Sequence, residues 1–197
     1  MIPPRRDAGQ AFPIYLTVVA GLLFLALAYL AVGQASVNRS GAQTAADSAA
    51  LAAAQNERDQ LTAQWVTDLL DPTKWQDIFD GKATFAQDPC QRARELATQN
   101  DAALNNCFPS GLLKYQVDVQ TNKTVGHSVV PGTEDVKSKA HAIAEIEPLC
   151  TFKLPGGGAT GGTLPQLTCK DKVWDLKPGD PSALPKPNDL FDVHLAD

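Results

Sequence analysis

Four cysteines, Cys90, Cys107, Cys150 and Cys169, are the residues of this 197-residue chain whose type and spacing best suit chemistry. No pair forms a C-x-x-C unit, and His127, His141 and His194 are scattered, so a zinc site is not expected and no metal or other cofactor is assigned. Oxidation to two disulfides is the chemistry that fits, which calls for a compartment outside the reducing cytosol. The other reactive groupings are poor. Gly126-His127-Ser128 lacks the G-x-S-x-G turn of a hydrolase, and no H-E-x-x-H pair is present. The glycines of "PGGGATGGT" are followed by neither Lys-Ser/Thr nor a helix, so they read as a flexible hairpin linker and not as a phosphate cradle. An enzyme is therefore not expected.

Pairing of the cysteines depends on the elements between them. An unbroken helix from Cys90 to Cys107 would separate the Cα atoms by about 25 Å, whereas a disulfide needs them within about 7 Å. Asn100-Asp101 offers a stop, because Asn tolerates the left-handed conformation that closes many helices. A helix ending there is about 15 Å long, and the extended residues after it can span about 23 Å on the way back. Cys90 with Cys107, and Cys150 with Cys169 across the glycine-rich hairpin, is favoured over the two other pairings.

These cysteines follow a long apolar segment. No charge occurs from Ala8 to Asn38, and Ala11 to Gly33 ("AFPIYLTVVAGLLFLALAYLAVG") is almost purely apolar. As a helix it would measure about 35 Å, enough for a bilayer core of about 30 Å. Pro13 falls in the first turn, and Tyr15 and Tyr29 lie toward the two ends, where aromatic rings favour the interface. Arg5 and Arg6 before the run, with the acidic bulk after it, place the N-terminus in the cytoplasm and the rest outside. A cleaved signal peptide, cut after Ala28 or near Ala35, is the alternative, but the run exceeds the usual h-region of about 7 to 15 residues. The formal net charge of −5 argues against nucleic-acid binding.

Beyond the apolar run, "GAQTAADSAALAAA" (Gly41 to Ala54) has alanine at eight of fourteen positions. Ala46, Ala50, Ala53 and Ala54 share one side, and Leu61, Trp65, Val66, Leu69 and Leu70 continue the stripe, so one rod is expected from about Pro13 to Leu70. Small side chains let backbones approach closely, and Ala42, Ala46, Ala50 and Ala53 are the positions expected to pack on a partner helix, a second copy of the chain included. Asp71-Pro72 and Asp88-Pro89 are helix starts. "KYQVDVQT" (Lys114 to Thr121) and the stretch Ala140 to Ile146 alternate as half-buried strands, and "LFDVHL" reads as an edge strand. The fold class is α+β, a long N-terminal helix with short helices and a small antiparallel sheet. Five regions follow: a leader (1–10), a membrane helix (11–33), an exported alanine-rich helix (34–70), a disulfide-bonded domain (71–176) and a Pro-rich tail (177–197).

"RRDAGQAFPIYL" followed by "TAADSAALAAA" resembles the TadE/TadG-like family of Tad (Flp-type) pilus assembly, over roughly residues 5 to 60. "CQRARELATQNDAALNNC" is similar to the helix-then-cysteine segment of TadE-like secreted proteins. The resemblance implies a pseudopilin-like, single-pass protein of a bacterial cell membrane, working with other pilin-like or pilus-assembly proteins. It also marks Gly9 as the counterpart of the prepilin cleavage site. Counting from there, Tyr15 matches the family's tyrosine, but Ile14 stands where the glutamate of cleaved prepilins falls. An uncut, TadG-like anchor is therefore favoured. The alternative function is a membrane-tethered module that binds a ligand or cell-wall polymer.

Overall fold

The computed structural model describes residues 11–83, 86–124, 132, 134–154, 164–177 and 179–196. Gly9, the Gly126-His127-Ser128 triplet and the glycine-rich stretch 155–163 lie outside them. Helix α1 runs unbroken from Ala11 to Thr67, through Gly33 and Gly41. Alanine has the highest helix propensity, which offsets the cost of these two glycines and of Gly21. The helix stops three residues short of Leu70. Approaching Pro72, the backbone tightens into turns, with the Asp71 amide donating to the Asp68 carbonyl (2.9 Å), and the Trp75 indole donates to that same carbonyl (3.1 Å). The chain's own tryptophan thus serves as part of the C-terminal cap.

Two short elements follow, a 3-10 turn at Pro72–Lys74 and helix α2 at Trp75–Phe79. Gly81 then closes against the hairpin of the main sheet with φ +73°, and a Cβ there would lie 2.7 Å from Leu113 Cδ2. The positive φ favours glycine, and any side chain there would also have to push Leu113 aside. Helix α3 spans Pro89–Gln99, with Asp88 as its N-cap accepting from the Cys90 amide at 2.9 Å. The left-handed residue at its other end is Asp101 (φ 56°) and not Asn100 (φ −98°). Asn100 instead turns its side-chain amide to the Leu96 carbonyl and to Ser48 Oγ of α1.

Strands β1 (Ala102–Gly111), β2 (Lys114–Thr121), β3 (Lys139–Pro148) and β7 (Phe191–Leu195) form an antiparallel sheet in the order β1-β2-β3-β7. β4 (Cys150–Phe152), β5 (Leu167–Cys169) and β6 (Lys172–Trp174) make a smaller antiparallel sheet. A short helix, α4 (Pro187–Leu190), leads into β7, so the end of the Pro-rich stretch is part of the main sheet.

Period-2 alternation decides what the main sheet buries. Tyr115, Val117 and Val119 of β2 and Ala142, Ala144 and Ile146 of β3 point inward. They meet α1, whose other side packs on α3. An aromatic chain closes the far end of the core: Trp65 to Trp75 (5.4 Å between ring centroids), Trp75 to Phe152 (5.2 Å), Phe152 to Phe79 (6.0 Å) and Phe79 to Phe191 (5.4 Å). The long helix is thus the central post of the folded unit, with α3 on one flank and the sheet on another.

Candidate functional site

Two halves of α1 meet opposite surroundings. In its first half, large apolar side chains from Phe12 to Val37 stand out into solvent, among them Leu22, Leu23, Phe24 and Leu25. Among the described residues this is the one helix long and apolar enough to cross a membrane, and none of its most apolar window is buried by the protein. Tyr15 (69% exposed) and Tyr29 (83% exposed) also point outward. Exposed apolar area on this scale marks an interaction surface, and here its length and composition fit a bilayer.

In the second half the exposure reverses. Ala42, Ala46, Ala50 and Ala53, expected to meet a partner helix, are fully buried, as are Ala45, Ala49 and Ala54. The neighbours are the chain's own: α1 packs on α3, β2 and β3. Polar contacts fix the register of this packing, from Asn100 to Ser48 Oγ (3.0 Å) and from Gln43 to the His141 carbonyl (3.3 Å). The close approach that small side chains permit is therefore spent within one molecule, and these four alanines offer no free face to a second copy. Sequence alone does not distinguish the two, because an alanine stripe looks the same whichever helix it packs on.

The exposed apolar half of α1 and the alanine box that follows it fall within one family match. Residues 9–56 match the family of putative Flp pilus-assembly TadE/G-like proteins. No curated protein and no solved structure matches the chain. The TadE/G-like segment takes in the apolar half of α1 and the alanine box, and it supports a role related to pilus assembly. α3, both sheets and all four cysteines lie beyond it.

The first residue past the TadE/G-like segment is also the most deeply buried acid among the described residues. Glu57 lies on the same stripe as Ala46, Ala50, Ala53 and Leu61 and is only 3% exposed. Burial raises its pKa from 4.5 to about 7, against the opposing effect of a hydrogen bond with Tyr115. The Tyr115 hydroxyl is itself pushed up, by burial first and then by the charge of Glu57. The two groups face each other where the later part of α1 packs on β2. Glu57 was not among the expected site residues, although the i, i+4, i+7, i+11 spacing from Ala46 places it on the inward stripe.

The cysteines form two disulfides. Cys90–Cys107 joins the first turn of α3 to β1 with Cα atoms 5.8 Å apart, and Cys150–Cys169 links directly paired residues of β4 and β5, 3.9 Å apart. One grouping escaped sequence reasoning altogether. Glu147, Asp192 and His194 stand on the outer face of the β3-β7 edge with ligand atoms within 4.8 Å of one another. Only the cross-strand register, with Glu147 opposite Asp192, brings them together. All three are exposed, and His194 Nδ1 lies 3.6 Å from Asp192 Oδ2, a surface cluster of a kind that is common without an ion.

Proposed function

We propose that this chain is a membrane-anchored structural component of Tad-type pilus assembly, held in the bilayer by α1 and presenting its disulfide-bonded α+β unit outside the cytoplasm. The observation that carries this reading is the coincidence of the family match with the helix. From Ala11 onward the matched residues lie on one continuous element, which starts with the apolar run and carries the match to the edge of the domain core. The arrangement of a long apolar helix rooted in a small antiparallel sheet is compatible with a pseudopilin-like subunit. An N-terminus in the cytoplasm is supported by Arg5 and Arg6 ahead of the apolar run and by two disulfides after it, which persist in oxidising compartments. The role is non-enzymatic.

Since the alanine stripe is occupied within the chain, contact with other assembly proteins falls to the remaining surfaces: the apolar half of α1 and the outer face of the sheet. Ile14 at the position of the prepilin glutamate supports an uncut accessory over a processed fibre subunit. The test is a deletion strain complemented with the tagged chain. Surface pili are expected to be lost on deletion and restored on complementation, and the intact mass of the membrane-extracted protein should include residues 1–9. Normal piliation of the deletion strain would overturn the assembly role, and a mass beginning after Gly9 would overturn the uncut anchor.

A further inference from the structure

Where α1 leaves its apolar run, a groove of about 680 Å³ opens between the helix and the lower rim of the domain. Its size is that of a small-molecule site. Tyr29, Leu30 and Val37 supply one apolar wall, while Asp101 and Lys123 stand at the opposite rim. Depth is the informative quantity. Tyr29 and Leu30 belong to the membrane-length run that closes at Gly33, whereas Val37 to Gly41 lie about 6 to 12 Å farther along the helix axis. A helix crossing the bilayer over that run carries the groove at the level of the lipid headgroups, apolar end toward the acyl chains and polar end toward water.

The polar end has matching chemistry. Lys123 Nζ and Asp101 Oδ2 are 2.9 Å apart, and both side chains are largely exposed, so each keeps donors or acceptors free for a ligand. Asn38 lines the same groove, and its side-chain N–H₂ is buried with no hydrogen-bond partner among the described residues. A buried amide donor left in this state costs free energy that an oxygen ligand would recover. A cation, an anion and an unpaired donor above an apolar wall are complementary to an ammonium, a phosphate and an ester carbonyl above acyl chains.

We infer that this groove is a binding site for a phospholipid with a primary ammonium headgroup, of the phosphatidylethanolamine class. Lys123 donates to the phosphate, Asp101 accepts from the ammonium, and the Asn38 side chain, whose amide lies under the groove wall, turns outward to donate to an ester oxygen. A trimethylated ammonium has no N–H to donate, so phosphatidylcholine binds more weakly. The inference rests on the membrane-anchored reading of α1.

The full-length protein is reconstituted in vesicles of equimolar phosphatidylethanolamine and phosphatidylcholine, released into detergent, and weighed intact with its retained lipid. One bound phosphatidylethanolamine is expected on the unaltered chain. Lys123→Ala is expected to lower its occupancy about tenfold, the loss of one charge-assisted hydrogen bond. Asp101→Asn, which tolerates the left-handed backbone at that position, is expected to keep the lipid but abolish the preference between headgroups. Gly33→Leu has open space around its Cβ, so it fills the groove without a clash and is expected to exclude the lipid. A bare protein mass, retention indifferent to headgroup and to all three substitutions, or an added mass equal to a second copy of the chain would each overturn the inference. Alkaline extraction of the same vesicles separates the two levels. A chain released by alkali refutes the anchor, whereas one that stays in the membrane with a bare mass refutes the groove alone.

Discussion

Glu57 holds a proton in the folded chain over a pH range where the unfolded chain has released it. Its pKa rises from 4.5 to about 7, so the folded state binds more protons between those values. The sign follows: the contribution of this group is fully present below about pH 4.5 and is lost as the pH climbs through 7. The loss is on the order of 3 kcal/mol. Glu57→Gln keeps the shape of the protonated acid and removes its titration. Urea midpoints of the variant, followed across that window, are expected to fall less with rising pH than those of the unaltered chain. Parallel curves would remove Glu57 as the source. Asp68 and Asp80, whose pKa values are lowered chiefly by hydrogen bonds from Lys74 and Lys82, act in the opposite sense but are common to both proteins. The inward position of Glu57 was legible from its spacing to Ala46 and Leu61, yet the charged run "NERD" around it reads as a solvated face. Nothing in the sequence shows that Tyr115, on a strand far downstream, waits to receive it.

Among the elements, α1 has the most demanding packing, because it is enclosed by α3 on one flank and the sheet on another. Ala50 is fully buried, and a leucine there must displace side chains or backbone. Ala50→Leu is expected to cost about 1 to 3 kcal/mol in urea unfolding of the isolated protein, whereas Ala63→Leu, on the exposed side, should change stability by less than about 0.5 kcal/mol. Equal tolerance at the two positions would mean that the alanines are not packed within the chain. Strands β2 and β3 were readable because buried residues alternate with half-buried ones along β2 and along the middle of β3. β1 was not. It is an edge strand whose residues are mostly exposed, and Pro109, which such an edge accommodates, removes a donor and breaks the expected pattern. The end of α3 was located correctly at Asn100-Asp101, but the choice of left-handed residue went to Asp101 because Asn100 is engaged with Ser48 and Leu96.

For the molecule as a whole, the exposed apolar run and the buried core share a single helix, so the surroundings change along one element while the backbone does not. Leu22 and Leu25 lie near the middle of the apolar run and are well exposed. Arginine at both is expected to cost about 2.5 to 3.5 kcal/mol each in bilayer insertion. The double variant Leu22→Arg/Leu25→Arg should move from the membrane pellet to the soluble fraction on alkaline extraction, with its domain still folded. Retention in the pellet would count against a bilayer-spanning α1. The sheet order β1-β2-β3-β7 adds a constraint of another kind, one of time. The alanine box is made early and β7 late, yet Phe191 of β7 closes the same core in which Ala50 is buried. As the chain emerges, α1 has no complete shelter for its small-residue stripe until β7 has emerged as well. The helix made first thus waits for the strand made last before its core is closed, and the order of synthesis sets the length of that wait.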